Sequence, residues 1–148
     1  GREYDLAGPL FDAPPLAEGY EPLPWSEDLL KDHAAVKYQS FRAEIDANVL
    51  PNLGARDGCR RLMDDSVHRG RFVPEATWLV QYWPQNARRP EICGTIQGML
   101  EETDDGYRIG AVQNVGITDG HRGRGLGSCL NHRSPLGFRQ AMYTHVYL

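Results

Sequence analysis

The sequence predicts an α/β domain with a mixed sheet, an antiparallel meander followed by a parallel crossover, flanked by helices. Three observations predict it. Apolar residues recur at steps of three or four between Leu30 and Val49, the spacing of one helix face. Runs rich in strand formers then follow between Thr77 and Thr118, joined by short polar links. Last come a glycine-rich loop, a helical stretch and a final apolar run. A strand–helix–strand unit of that kind favours a parallel pair.

Each element has its own justification. Pro9, Pro14, Pro15, Pro22 and Pro24 forbid a helix in residues 1–25. That segment reads as an extended arm, with Tyr20 to Trp25 an edge strand, where proline is tolerated. Residues 26–148 read as one domain. Ser26 is an N-cap, with Glu27 and Asp28 in the first turn. Leu30, Ala34, Tyr38, Phe41, Ile45 and Val49 give an amphipathic helix ending near Pro51. Cys59, Leu62, Met63 and Val67 give a shorter second helix. Strands are expected at Thr77–Trp83, Ile92–Leu100 and Tyr107–Thr118. Thr103-Asp104-Asp105-Gly106 makes the last two a hairpin. A helix follows from Ser128 towards Met142, and a strand from Tyr143 to Leu148. Ser134-Pro135 predicts that this helix kinks or stops near Arg133.

Composition excludes several classes. The 148 residues are 41% hydrophobic and 24% charged, which is globular rather than disordered, collagen-like or coiled-coil. No apolar run reaches the roughly 20 residues of a spanning helix. The first residues lack a basic start and an apolar stretch, so a cytoplasmic chain without a membrane partner is expected. Three scattered cysteines without Cys-x-x-Cys, and five histidines without His-Glu-x-x-His, predict reduced thiols and no metal site.

The net charge of −4 conceals an asymmetry. From Gly120 onward there is no acid, while Arg122, Arg124, Arg133 and Arg139 are all present. A locally basic segment in an acidic protein suits a small polyanion better than nucleic acid; a solvated basic surface is the other reading of it. The segment opens with Gly120-His121-Arg122-Gly123-Arg124-Gly125-Leu126-Gly127-Ser128, between an expected strand and an expected helix. Glycines permit close backbone approach, and a helix N-terminus offers unpaired N–H groups and a positive dipole end. A nucleotide P-loop is rejected because Leu126 stands where its lysine belongs. A dinucleotide fingerprint is weak because Ser128 ends it and no acid follows.

Arg122-x-x-Gly125-x-Gly127 after an apolar strand resembles the Gln/Arg-x-x-Gly-x-Gly/Ala motif of the GCN5-related N-acetyltransferases, and Asn114-Val115-Gly116-Ile117-Thr118 looks like that family's central strand. The element order is similar over roughly residues 20–148. The resemblance implies transfer of an acetyl group from acetyl-CoA to an amine of a small molecule or peptide, by direct transfer. It places the CoA pyrophosphate on Arg122, Gly123, Arg124, Gly125, Leu126, Gly127 and Ser128, and the pantetheine arm beside Val115, Gly116 and Ile117. A strand N–H, assigned to Val115, polarises the thioester carbonyl, and Asn114 is the polar residue next to it. The alternative function is a non-catalytic acyl-CoA-binding domain, or a vestigial acetyltransferase serving as an interaction module.

Other residues carry less. Glu101 and Glu102 read as a solvated hairpin tip, Gln113 as an outward-facing or substrate-orienting residue, and Cys129 as packing rather than a nucleophile. The family continues past the strand equivalent to Tyr143–Leu148 with a helix, often bearing a tyrosine acid, and closing strands. With Leu148 as the last residue, the sheet edge there is expected to be bare and to drive self-association.

Overall fold

The computed structural model describes residues 3–6, 15–41, 56–68, 71–141, 143 and 145–147. Six strands form one sheet: β1 (Glu3–Asp5), β2 (Tyr20–Pro24), β3 (Phe72–Tyr82), β4 (Glu91–Glu102), β5 (Arg108–Ile117) and β6 (His145–Tyr147), in the order β1-β6-β5-β4-β3-β2. Among the described residues the α-helices are α1 (Leu30–Phe41), α2 (Arg56–His68) and α3 (Leu126–Gln140). Among the described residues, no helix is long and apolar enough to cross a membrane.

The meander β3-β4-β5 is antiparallel and β5 pairs β6 in parallel, as expected. Side chains alternate across a strand, so β4 serves two layers. Thr95 faces α1, where its hydroxyl meets His33 Nδ1 at 2.6 Å. Gly94 and Gly98 lie under Leu130 and Phe138 of α3. Leu130 and Phe138 are fully buried, each contributing ~1.5–3 kcal/mol. The sheet is thus covered by α1 on one face and α3 on the other.

Several expectations are corrected. β3 begins at Phe72 and contains Pro74, because the β3–β4 register shifts between Val73 and Trp78 and the irregularity spares the proline a ladder bond. α3 does not stop near Arg133 but runs through Pro135 to Gln140. Tertiary packing outweighs the local cost: Ser134 Oγ donates to Ala76 O at 2.8 Å, Gly137 lies directly on the Glu75 backbone, and Phe138 anchors the second half in the core. The buried face of α1 is rotated from the apolar stripe. His33, Ala34, Val36, Lys37 and Ser40 are buried, while Leu30 and Tyr38 are only half-buried. The expected extension through Ile45 and Val49 lies outside the described residues.

The bare edge is also corrected. β1 pairs antiparallel with β6, Glu3 opposite Tyr147 and Asp5 opposite His145. The chain's own start occupies the flank expected to be open, and self-association through it loses its premise. At the opposite edge, β2 carries Pro22 and Pro24, which suit a strand with one free flank.

Candidate functional site

Two features of β5 shape the site. The first is a bulge. Thr95 pairs Gly116 and Gln97 pairs Gln113, so Ile96 on β4 faces both Asn114 and Val115 on β5. The extra residue re-aims the backbone at this point. The second is its partnership with β6, which among the described residues pairs with Gly110 and Ala111. Beyond Ala111, the β6-side flank of β5 has no strand partner among the described residues. Alternate residues of a strand direct N–H and C=O to opposite flanks. Some backbone groups between Val112 and Ile117, the stretch holding Val115, Gly116 and Ile117, therefore face that flank.

The glycine loop opens from the end of this strand. Thr118 N–H donates to Cys93 O at 3.0 Å, and a 3₁₀ turn occupies Asp119–His121. Gly123 and Gly125 have φ of +76° and +78°, a region that side chains strain to enter. Gly125 caps α3 and, being glycine, supplies no side-chain acceptor to the first turn. The first intrahelical bond is Cys129 N–H to Gly125 O, at 3.1 Å. The N–H groups of Leu126, Gly127 and Ser128 are thus without helical acceptors. A Cβ built on Gly120, Gly123, Gly125 or Gly127 would meet nothing within 4 Å. These glycines leave a cradle open beside unpaired donors at a positive helix end, which fits a phosphate or diphosphate.

The two loop arginines differ. Arg122 is turned back into the protein: Nε donates to Ile117 O at 3.1 Å, Nη2 donates to Ser40 O at 3.2 Å, and Nη1 lies 3.2 Å from Asp119 Oδ1. It ties the loop to the end of α1 and holds the loop's shape. Arg124 is exposed, and its charge reaches the Tyr20 hydroxyl. Leu126 and Cys129 are buried on the inner face of α3, Leu126 as an anchor in the core. Ser128 is exposed.

The structure adds contacts that the sequence did not suggest. His121 is held by Tyr20 and Glu91, at 2.7 and 2.9 Å. Burial, opposed by Arg124, raises the Tyr20 hydroxyl above its usual range. Burial first, then the Glu91 carboxylate, pushes the Cys93 thiol up to about 12, which leaves it inert. On α1, burial first and Lys37 second push His33 down to about 3, so its imidazole is neutral. No signal in the sequence joins Tyr20 to His121 or His33 to Thr95, because each pair is remote along the chain.

The remaining candidates take modest places. Gln113 Nε2 donates to Glu101 Oε1 at 3.2 Å on an exposed surface, and Glu102 is exposed as expected. The Asn114 side chain lies outside the described residues. Cys129 is 1% exposed, too enclosed to act as a nucleophile. A hollow of about 460 Å³ lies elsewhere, between Trp25, Trp78, Pro74 and the second half of α3. It is remote from the loop, and Arg133 already stacks on Trp78 there, 4.8 Å from the ring centroid.

No family model matches the sequence, and no curated protein matches it. Solved structures do. A GCN5-related N-acetyltransferase from Ralstonia eutropha JMP134 superposes with a TM-score of 0.61 at 21% identity, over 88% of this chain and 82% of that one. Another from Sphaerobacter thermophilus gives 0.67 at 18% identity, over 97% of this chain and 39% of its own length. A predicted acetyltransferase from Clostridium acetobutylicum, crystallised with acetyl-CoA, gives 0.55 at 17% identity over 87% and 78%. Sheet order, bulged central strand, glycine loop and solved neighbours agree that this chain has the fold of the GCN5-related N-acetyltransferases.

Proposed function

We propose that the chain is an N-acetyltransferase that moves an acetyl group from acetyl-CoA directly to an amine of a small molecule or peptide. One observation carries the reading: an open, glycine-lined helix N-terminus continues from a bulged strand whose outer flank, beyond Ala111, has no strand partner among the described residues. A diphosphate and an extended amide-bearing arm, linked in that order, match these two surfaces. Acetyl-CoA supplies an acetyl thioester, whose C–S bond breaks as the amine N–C bond forms, one proton leaving the amine and one reaching the sulfur.

The chain's own part is binding and orientation. The amides of Arg122 to Ser128 hold the pyrophosphate, and Arg124 adds charge from outside. The backbone of Val115, Gly116 and Ile117 pairs with the pantetheine arm. The Val115 N–H, set by the bulge, donates to the thioester carbonyl, a fixed dipole aimed where charge develops. Asn114, the other bulge residue, is placed beside the reacting centre. Holding the amine against the thioester supplies much of the remaining acceleration.

The test is a thermal melt with CoA and acetyl-CoA, followed by thioester loss against a panel of amines and peptides. Stabilisation with amine-dependent thioester loss is expected. Stabilisation without loss across the panel points to the non-catalytic acyl-CoA-binding alternative. No stabilisation at millimolar CoA refutes the site.

A further inference from the structure

We propose that Tyr20, His121 and Glu91 form a clamp that fixes the entrance of the glycine loop and thereby sets its affinity for a diphosphate ligand; the ligand half rests on the acetyl-CoA reading above. His121 closes the 3₁₀ turn and immediately precedes Arg122. Both of its ring nitrogens are engaged. Nδ1 lies 2.7 Å from the Tyr20 hydroxyl and Nε2 lies 2.9 Å from Glu91 Oε2. The ring also sits edge-on to Tyr20 and 5.3 Å from the Tyr82 ring. The imidazole is only 13% exposed, so the Tyr20 bond is partly sheltered, while Glu91, 57% exposed, holds the ring from the water side.

The partners come from three strands: Tyr20 from β2, Tyr82 from β3 and Glu91 from β4. The next residue, Arg122, is bonded to Ser40 on α1 and to Ile117 on β5. Two consecutive residues thus pin the loop to the far side of the sheet and to the helix layer. Beyond them, Gly123 to Gly127 is left to meet the ligand. Glycine loses more freedom on ordering than any other residue. Fixing the base of a glycine-rich loop in advance removes part of that loss at binding.

The clamp does not depend on the charge of His121. In the neutral ring, Nε2–H donates to the Glu91 carboxylate and Nδ1 accepts from the Tyr20 hydroxyl. In the protonated ring both nitrogens donate, and the Tyr20 oxygen accepts after its hydroxyl turns. Tyr82, Arg124 and Cys93 are the other titratable groups around the cluster, and none replaces either bond.

The experiment compares wild type with Tyr20→Phe, His121→Phe, Glu91→Ala and Glu91→Gln. The phenylalanine variants keep the ring packing and remove hydrogen bonds, and Glu91→Gln keeps an acceptor. Amide hydrogen exchange of residues 122–128 is read in the unliganded protein, CoA affinity by calorimetry, and KM and kcat for acetyl-CoA. In Tyr20→Phe, His121→Phe and Glu91→Ala, loop exchange and the CoA Kd are expected to rise about five- to ten-fold, the scale of one net hydrogen bond. KM rises with Kd, kcat holds, the sheet exchanges as before, and Glu91→Gln stays near wild type. Wild-type loop exchange in the three loosened variants overturns the clamp, and so does faster exchange spread evenly over the sheet. A wild-type protein that ignores CoA overturns the acetyl-CoA reading and the ligand half of the proposal. Loosened loop exchange in the same variants would then still support the clamp itself.

Discussion

Replacing Gly125 with alanine separates the loop's folding from its binding. Gly125 sits at φ +78° and ψ 12°, at the cap of α3. The new Cβ would meet no atom within 4 Å, so the unliganded protein suffers no clash. The cost is backbone strain alone, about 1–2 kcal/mol for an L residue in the left-handed region. For a chain of this length that corresponds to a fall in Tm of roughly 3–8 °C. On the proposed placement, the added methyl group competes for the open space beside Gly125 that the ligand would use. A diphosphate seated on the amides of Leu126 to Ser128 is pushed outward, and CoA affinity is expected to fall at least about ten-fold, or ~1.4 kcal/mol. Gly125→Val enlarges both effects. Gly120→Ala is the internal control, since Gly120 has open space around it and no positive φ. Its Tm is expected to stay within about 2 °C of wild type. Calorimetry with CoA, after a melt showing each variant folded, decides the matter. A folded Gly125→Ala protein with wild-type CoA affinity would falsify the placement of the ligand on this loop.

Arg122→Ala removes the bonds to Ile117 O and Ser40 O and is expected to cost about 1–2 kcal/mol of stability; CoA binding weakens more at low salt than at high, read by melts and titrations at two ionic strengths. His33 is neutral in the fold, its value pushed down to about 3. The unfolded chain therefore binds the extra proton, and stability is lost as pH falls below about 6.5 and continues to fall towards 3, at ~1.4 kcal/mol per unit. Denaturant melts of wild type and His33→Gln at pH 7.5 and 5 are expected to show this slope only in wild type, and equal slopes would refute it. Gly137→Ala places a Cβ onto the carbonyl of Glu75. A loss of more than about 3 kcal/mol is expected, and a variant melting like wild type would show that α3 has room to shift.

What was legible in the sequence is what neighbouring residues decide among themselves. The meander followed from β-branched and aromatic runs, and its hairpin from Thr103–Gly106, where Gly106 N–H donates to Thr103 O at 2.9 Å. The loop was legible because its glycines, arginines and helix start are contiguous. Features that depend on remote partners were not. The α1 stripe was misplaced because His33 and Lys37 read as surface residues, and only Thr95 on β4 shows what His33 Nδ1 bonds to inside. Pro135 looked like a helix stop because Ala76 and Glu75, which hold that turn, lie on β3. Arg122 was expected to face an anion, yet the Ser40 carbonyl it binds belongs to α1.

The pairing of β1 with β6 bears on the order in which the molecule assembles. Glu3 opposite Tyr147 closes a loop of nearly the whole chain, and loop-closure entropy must be met before such a contact stabilises anything. β1 stays unpartnered until β6 has been made, so this pairing completes the sheet rather than nucleating it. Among the described residues β6 registers with Gly110 and Ala111 on its other side, so β1 and β6 hold each other in place. The last contact to form is then also the first to open, and pulsed hydrogen exchange during refolding will find β3 and β4 protected before Glu3–Asp5 and His145–Tyr147.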